Sequence, residues 1–349
     1  MRPERDDRAV ARCDAGAAAG RSRKGRAGAA DRALAAALAA LALAGCVTIN
    51  LPGGRRGPLE EVTVRGEGPD KILVLDLSGF ILGETRLTLL GLSPLENTVE
   101  RVGEELERAA RDPAVKGVVL RINSPGGTVT ASDVLYNALR RYKARAGVPV
   151  VAALLDVATS GAYYVAMAAD EVIAHPTTIT GSIGVVYALV SAAGLYDKLG
   201  LADQTVKSDR YKDIGSPRRA PTAEERAILQ SQIDDLFRRF LATVQAGRPR
   251  LSPEQIRSLA DGRPYTAQQA LAAGLVDAIG YLDDAVEAVQ RRAKLPRARV
   301  VVYVRPGAAR PTHLYAGTPP HLPASAAHSW LAQLAGTGGP AFLYLWTGW

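Results

Sequence analysis

Pro149-Val-Val-Ala-Ala-Leu-Leu-Asp-Val-Ala-Thr-Ser-Gly-Ala-Tyr-Tyr-Val-Ala166 opens as an apolar strand (Pro149 to Leu155), passes through a turn of small residues and continues as a helix rich in alanine and tyrosine. Ser160 stands at the apex of the turn. A serine at a strand-to-helix turn projects its hydroxyl above the sheet, near the free N–H groups of the helix start. That places a candidate nucleophile beside ready-made oxyanion donors. The plainer reading is a helix N-cap, a position serine favours. The turn alone does not separate the two readings, so the rest of the chain has to.

Upstream, Lys71–Leu77 is a continuous apolar run, as expected of a strand buried on both faces. Ser93-Pro94 predicts a helix start, with Leu95, Val99, Val102, Leu106 and Ala109 along one face. Gly117–Ile122 reads as a strand and runs into the turn Asn123-Ser-Pro-Gly-Gly-Thr128. An amphipathic helix follows, with Val134, Leu135, Ala138, Leu139 and Tyr142 on one side. This alternation of strand and helix predicts an α/β fold with parallel βαβ units.

Downstream, Glu171–His175, Thr180–Val186 and Gln204–Lys207 read as short strands. Thr222-Ala-Glu-Glu225 is a capping box opening a long helix, and Ser252-Pro253 opens another. Asp261–Thr266 reads as a turn, the helix after it stops at Gly274, Asp283–Arg292 is helical, and Arg299–Val304 is a late strand. Residues 306–329 are rich in Pro, Ala and His, and an aromatic tail with Trp330, Phe342, Trp346 and Trp349 closes the chain.

The formal charge of +8 is divided evenly by position: residues 1–32 carry nine basic and five acidic side chains, and the remainder 34 and 30. No concentrated basic patch results, and nucleic-acid binding is not expected. The basic segment leads into an uncharged Ala/Leu run, Ala33–Gly45, shorter than the about 20 residues a membrane span requires. This is the layout of a secretory signal. Its end, Leu43-Ala-Gly-Cys46, resembles the lipobox of bacterial lipoproteins, which implies a leader over 1–45 and a diacylated Cys46. Residues 47–70, rich in Gly, Pro and Arg, read as a tether. The other cysteine, Cys13, lies in the leader.

No Cys/His cluster has metal-ligand spacing, and no phosphate-binding glycine loop is present, so neither metal nor cofactor is expected. Of the four histidines, His313, His321 and His328 lie in the Pro-rich tail, and His175, before Pro176, reads as structural. A base for Ser160 is then a lysine, which must be neutral to accept a proton. Lysine ordinarily titrates near about 10.4, so the site must lower it to roughly 7–8 by burial. Lys198, Lys207 and Lys212 all follow the serine, and composition does not choose among them.

Four segments together resemble the SppA-type signal peptide peptidases: Ile122-Asn-Ser-Pro-Gly-Gly127, Thr159-Ser-Gly-Ala-Tyr-Tyr164, Thr178-Ile-Thr-Gly-Ser-Ile-Gly-Val185 and Val206-Lys-Ser-Asp-Arg-Tyr-Lys-Asp-Ile214. Asp261-Gly-Arg with Gly274-Leu-Val-Asp277 adds a fifth, and the match runs from about Lys71 to Arg292. The Ser-Pro-Gly-Gly turn alone is a weak sign, since the wider ClpP/crotonase group shares it. The resemblance implies a ClpP/crotonase-like α/β fold with a single protease domain, 71–295, followed by the late strand and tail, 296–349.

Carried over by position, the resemblance implies Ser160 as nucleophile, Lys212 as general base, and Ser182 as the serine that orients the lysine. Gly127, with Gly126 beside it, matches the turn that donates an N–H to the oxyanion, and the N–H of Gly161 is the second donor by geometry. Ala162 stands where many relatives have a second glycine. The implied protein is a lipid-anchored endopeptidase of the bacterial envelope, facing the periplasm or exterior. Val47 after the lipid-bearing cysteine favours the outer membrane where one exists. The short chain resembles family members that form homo-oligomers, and the implied substrates are cleaved signal peptides or similar apolar peptides. Two rival readings are an acyl-CoA enzyme of the crotonase fold, which has no need of Ser160, and an inert lipid-anchored scaffold.

Overall fold

The computed structural model describes residues 57–83, 86–87, 94–95, 97–316 and 342–346. The leader, Cys46, Ser93, His321, His328, Trp330 and Trp349 lie outside the described residues. In chain order the elements begin with β1 (Glu60–Arg65), β2 (Lys71–Ser78), β3 (Arg86–Leu87), β4 (Pro94–Leu95), α1 (Thr98–Ala110), β5 (Val115–Ser124), β6 (Gly126–Thr128) and α2 (Val129–Ala146). Next come β7 (Val150–Thr159), α3 (Gly161–Ala166), β8 (Glu171–Ala174), β9 (Ile179–Gly181), β10 (Val186–Tyr187), α4 (Ala193–Lys198) and α5 (Ala223–Gly247). The remainder are α6 (Pro253–Leu259), β11 (Pro264–Thr266), α7 (Ala267–Ala272), β12 (Ala278–Ile279), α8 (Leu282–Ala293), β13 (Arg299–Val304) and β14 (Phe342–Leu345).

The expected α/β architecture is present. The main sheet runs β1-β13-β2-β5-β7-β8-β12, with β13, β2, β5, β7, β8 and β12 mutually parallel and β1 antiparallel at the edge. Apart from Asp76 and Arg121, the buried positions of its central strands β2, β5 and β7 are apolar up to the level of Leu154, because each face meets its own core. Leu73, Leu75, Leu77, Val118, Leu120, Ile122, Val150, Ala152 and Leu154 pack into the core that also takes in residues of α1, α2 and α3. The intervening Ile72, Val74, Val119, Val151 and Ala153 pack against Leu282, Ala285, Val286 and Val289 of α8. Alternate side chains of a strand point to opposite faces, so one run supplies two cores.

Several elements differ from the sequence reading. The first helix begins at Thr98, capped by Asn97, whose Oδ1 accepts from the Glu100 N–H at 3.0 Å; Pro94-Leu95 instead pairs with Arg86-Leu87. Glu60–Arg65, expected within the tether, pairs with β13 because Val62 and Val64 pack against the α8-side core. Thr180–Val186 is divided between β9 and β10, and Pro264–Thr266, expected as turn, pairs with β9. Gln204–Lys207 forms no strand: Val206 is 98% exposed, and among the described residues no strand pairs with it. The capping box at Thr222, the helix start at Ser252-Pro253, the stop at Gly274 (φ 73°) and the strand Arg299–Val304 are as expected. Among the described residues no helix is long and apolar enough to cross a membrane.

An ion pair is buried in this sheet. Asp76 and Arg121 are register partners on β2 and β5, and Arg121 Nε donates to Asp76 Oδ1 at 2.8 Å. Arg121 Nη1 also donates to the Leu314 carbonyl at 2.6 Å, which fastens the chain after β13 to the sheet. With Arg121 only 3% exposed, Arg121→Leu should lower the stability measured by urea unfolding by about 3 kcal/mol or more, because Asp76 would lose its buried partner.

Candidate active site

The end of β7 sets the site. Its first half, Val151–Leu154, pairs with β8, whereas Val157–Thr159 pairs with β9, so the strand is held on that side by two different neighbours. The register Thr159↔Gly181 makes Ser160 and Ser182 the next residues of two adjacent parallel strands, and the Ser160 N–H donates to the Gly181 carbonyl at 2.7 Å. Both serines have positive φ, 53° and 50°. An L-residue holds that conformation only where its surroundings impose it, and such residues cluster at functional sites.

Ser160 has φ 53° and ψ −115° and precedes α3, yet its side chain makes no capping hydrogen bond. The N-cap reading therefore fails on its defining contact. What remains is a buried serine, 1% exposed, at a strained strand-to-helix turn with its hydroxyl uncommitted.

The glycine turn is drawn against this serine by several bonds. Ser124 pairs with Ala158, Thr159 Oγ1 donates to the Pro125 carbonyl at 3.3 Å, and the Val157 N–H donates to Asn123 Oδ1 at 3.2 Å. On its other side the turn is tied to Ile81, whose N–H donates to Gly126 O at 2.9 Å and whose carbonyl accepts from Thr128 N at 3.0 Å. The approach is so close that side chains do not fit. A Cβ at Gly127 would overlap the Ile81 backbone, one at Gly126 would sit 2.8 Å from the Gly161 nitrogen, and one at Gly161 would run into Ser132 Oγ. Ser132, held by its own bond to the Thr128 carbonyl at 3.0 Å, had no signal in the sequence. All three glycines expected around the oxyanion thus converge on the turn that carries Ser160.

The lysines stand apart from this cluster. Lys207 Nζ is engaged by Asp213 Oδ1 at 2.6 Å, and Lys198 is exposed on α4. Lys212 is exposed, and among the described residues its side chain forms no hydrogen bond to Ser160 or Ser182. Its backbone is nevertheless anchored next door. Asp213 accepts from Arg219 Nη2 at 2.8 Å, and Arg219 Nη1 donates to Glu225 Oε2 at 2.8 Å in the capping box of α5. Arg219 and then Lys207 hold the Asp213 carboxyl well below the usual carboxylate range. His175 bonds Thr177 Oγ1 at 2.8 Å, in keeping with a structural role.

The tail also enters the site. Leu343, Tyr344 and Leu345 pair antiparallel with Thr128, Gly127 and Gly126, and Leu343 and Phe342 pair with Val186 and Tyr187. The aromatic character of the tail was visible in the sequence, but nothing there pointed to the glycine turn as its partner.

An uncommitted serine on a strained turn above a parallel sheet, opposed by a glycine turn, defines a serine peptidase of the Clp kind. Comparison with known families agrees: a Clp protease model matches residues 80–180, and the model of peptidase family S49 matches residues 142–296. A protein of Enterococcus faecium named as a candidate signal peptide peptidase SppA is 35% identical over 246 residues, 70% of each chain. A candidate protease of Synechocystis is 38% identical over 62% of this chain and 72% of its own. Protease 4 of Salmonella typhi is 37% identical over 56% of this chain but only 31% of its own. The chain belongs to peptidase family S49, and it is a serine peptidase.

Two outcomes follow from this geometry. Gly161→Ala should lower kcat/KM by about 100-fold by displacing the serine turn, and adding Ser132→Ala should recover much of the loss by removing the obstructing oxygen. The second concerns acid stability. Arg219, with the Thr222 N–H, holds the buried Glu225 carboxyl down from 4.5 to about 2. A depressed carboxyl stabilises the fold above its unfolded value and loses that contribution as pH falls through the folded one. Urea midpoints compared at about pH 5 and about pH 3 should fall for the native chain and change less for Glu225→Gln.

Proposed function

We propose that this chain is an envelope serine endopeptidase, held at a membrane by lipid on Cys46, that cuts cleaved signal peptides or similar apolar peptides. It faces the periplasm or exterior and acts through a Ser160–Lys212 dyad. Neutral Lys212 takes the proton of Ser160 Oγ as that oxygen attacks the peptide carbonyl carbon, and the N–H groups of Gly127 and Gly161 receive the oxyanion. The same lysine returns the proton to the leaving amine and then activates the water that releases the acyl-enzyme. Ser182 orients the lysine.

The observation that carries this reading is the conformation of Ser160, a strained turn whose hydroxyl forms no cap. Apolar, extended peptides are the substrates that the resemblance to signal peptide peptidases implies. Lys212 is the component a single chain leaves apart, and its position on the surface suggests how it is brought in. The segment around it exposes Leu189, Val190, Leu195, Leu199, Leu201 and Val206. A second copy packed on this segment would cover those side chains and exclude water from Lys212. In this reading the homo-oligomer completes the dyad, with Lys212 of one copy serving Ser160 of another.

The test is hydrolysis of a fluorogenic apolar peptide by the full chain, from about pH 6 to about pH 10. Activity should rise along an alkaline limb, and Ser160→Ala or Lys212→Ala should each lower kcat by about 10⁴-fold or more. An equal mixture of the two variants, co-refolded, should regain about a quarter of native activity, the fraction of sites formed between an intact serine and an intact lysine. Unaltered turnover in either variant would sink the dyad, and a silent mixture would sink its assembly between copies.

A further inference from the structure

β14 is the middle strand of a three-stranded sheet, β10-β14-β6. Without it, β6 and β10 would face each other across a slot one strand wide, each with an open edge. Such paired edges receive an extended peptide by main-chain hydrogen bonds, with alternate side chains read by pockets. The chain's own tail occupies that slot: Leu345, Tyr344 and Leu343 lie against Gly126, Gly127 and Thr128, and the Trp346 N–H donates to the Pro125 carbonyl at 3.1 Å.

The position of Tyr344 is specific. Its carbonyl oxygen lies where a Cβ of Gly126 would be, and 3.1 Å from where a Cβ of Gly161 would be, a point itself 3.2 Å from the Gly127 nitrogen. The carbonyl therefore lies among the three glycines assigned to the oxyanion. The side chain is fully buried in an aromatic pocket. It stacks on Tyr164 at 5.2 Å and packs against Phe240 at 4.6 Å, with Tyr136 behind Tyr164 at 5.3 Å. At the pocket's end the Tyr344 hydroxyl donates to the Leu236 carbonyl at 2.9 Å. The pocket wall is itself braced, since Tyr164 donates to Asp133 Oδ1 at 2.6 Å and Arg239 Nε donates to the same oxygen at 3.0 Å. An apolar pocket with a single acceptor at its end suits a tyrosine, and phenylalanine would leave that acceptor unmatched.

We propose that Phe342–Leu345 is a built-in pseudosubstrate: the tail fills the peptide slot, and the Tyr344 pocket is the specificity site for an aromatic residue at the reacting carbonyl. The assignment rests on the peptidase reading of the cleft. A substrate must displace the tail, and a tethered occupant competes at the high effective concentration its tether imposes.

The test measures binding in full-length protein carrying Ser160→Ala, so that no turnover is needed. A fluorescent hexapeptide of residues 341–346 is titrated into this protein and into versions with Tyr344→Asp, which empties the pocket, or Leu343→Pro, which breaks the ladder. Both should bind the peptide about 10- to 100-fold more tightly than the parent, the gain expected when a tethered competitor is removed. A hexapeptide with alanine in place of the tyrosine should show no such gain. Equal binding by all three proteins would overturn the proposal. Loss of folding in both variants, read by circular dichroism, would also overturn it by making the strand part of the core. The binding gain beside no hydrolysis by the chain with Ser160 intact would keep the slot and lose the dyad, whereas hydrolysis by that chain without the gain would keep the dyad and lose the slot.

Discussion

Ser160 can keep a φ of 53° and a ψ of −115° only because the peptide groups on either side are pinned. Its N–H is held by the Gly181 carbonyl, its carbonyl accepts from Tyr164 N at 2.9 Å, and the preceding Thr159 is bonded to the Pro125 carbonyl. A conformation of this kind costs on the order of 1–3 kcal/mol and persists where the surrounding structure over-determines it. The parallel strands supply that determination. Beyond Leu154 the sheet passes from the β7–β8 pairing to the β7–β9 pairing, and the serine turn is the point where β7 ends against its second neighbour.

The glycines follow from the same constraint. For Ser160 to stand over the proposed oxyanion site, three backbone segments have to approach closer than side chains allow: Ile81, the Gly126-Gly127 turn and the start of α3. Main-chain N–H groups gathered in this way are donors fixed before any substrate arrives, which is what stabilises charge developing on a carbonyl oxygen. The S49 peptidase assembled here thus depends on close packing of backbone as much as on any single side chain.

What could be read from the chain reflects how local each signal is. The buried strands around Leu73, Leu120 and Val151 were plain because burial on both faces demands an unbroken apolar run. The capping box at Thr222 and the helix start at Ser252-Pro253 were plain because their signals lie within four residues. Ser93-Pro94 misled, since its cap-like spelling says nothing about the pairing with Arg86-Leu87 that makes Pro94 part of a strand. Gln204–Lys207 misled because a β-branched pair is no strand without a partner. Ser160 was marked by its strand-to-helix turn, whereas Ser182, Gly126 and Gly127 were singled out through family resemblance, since their backbone conformations are set by distant segments. The proposed meeting of Lys212 with a serine lies between two copies, where a single sequence carries little signal.

α3 is only six residues long, and its two tyrosines face different obligations. Tyr163 donates to the Leu275 carbonyl at 2.7 Å and locks the helix to the segment after α7, whereas Tyr164 walls the aromatic pocket. In the proposed reading, the helix that begins at the nucleophile is therefore also the one that shapes recognition, with no hinge between the two duties. Any reshaping of the pocket to accept a different side chain would tilt the turn from which Ser160 acts. Divergence in diet within such a scaffold is constrained by rate, and new preferences would arise more readily by altering the slot's outer strand than by altering the pocket.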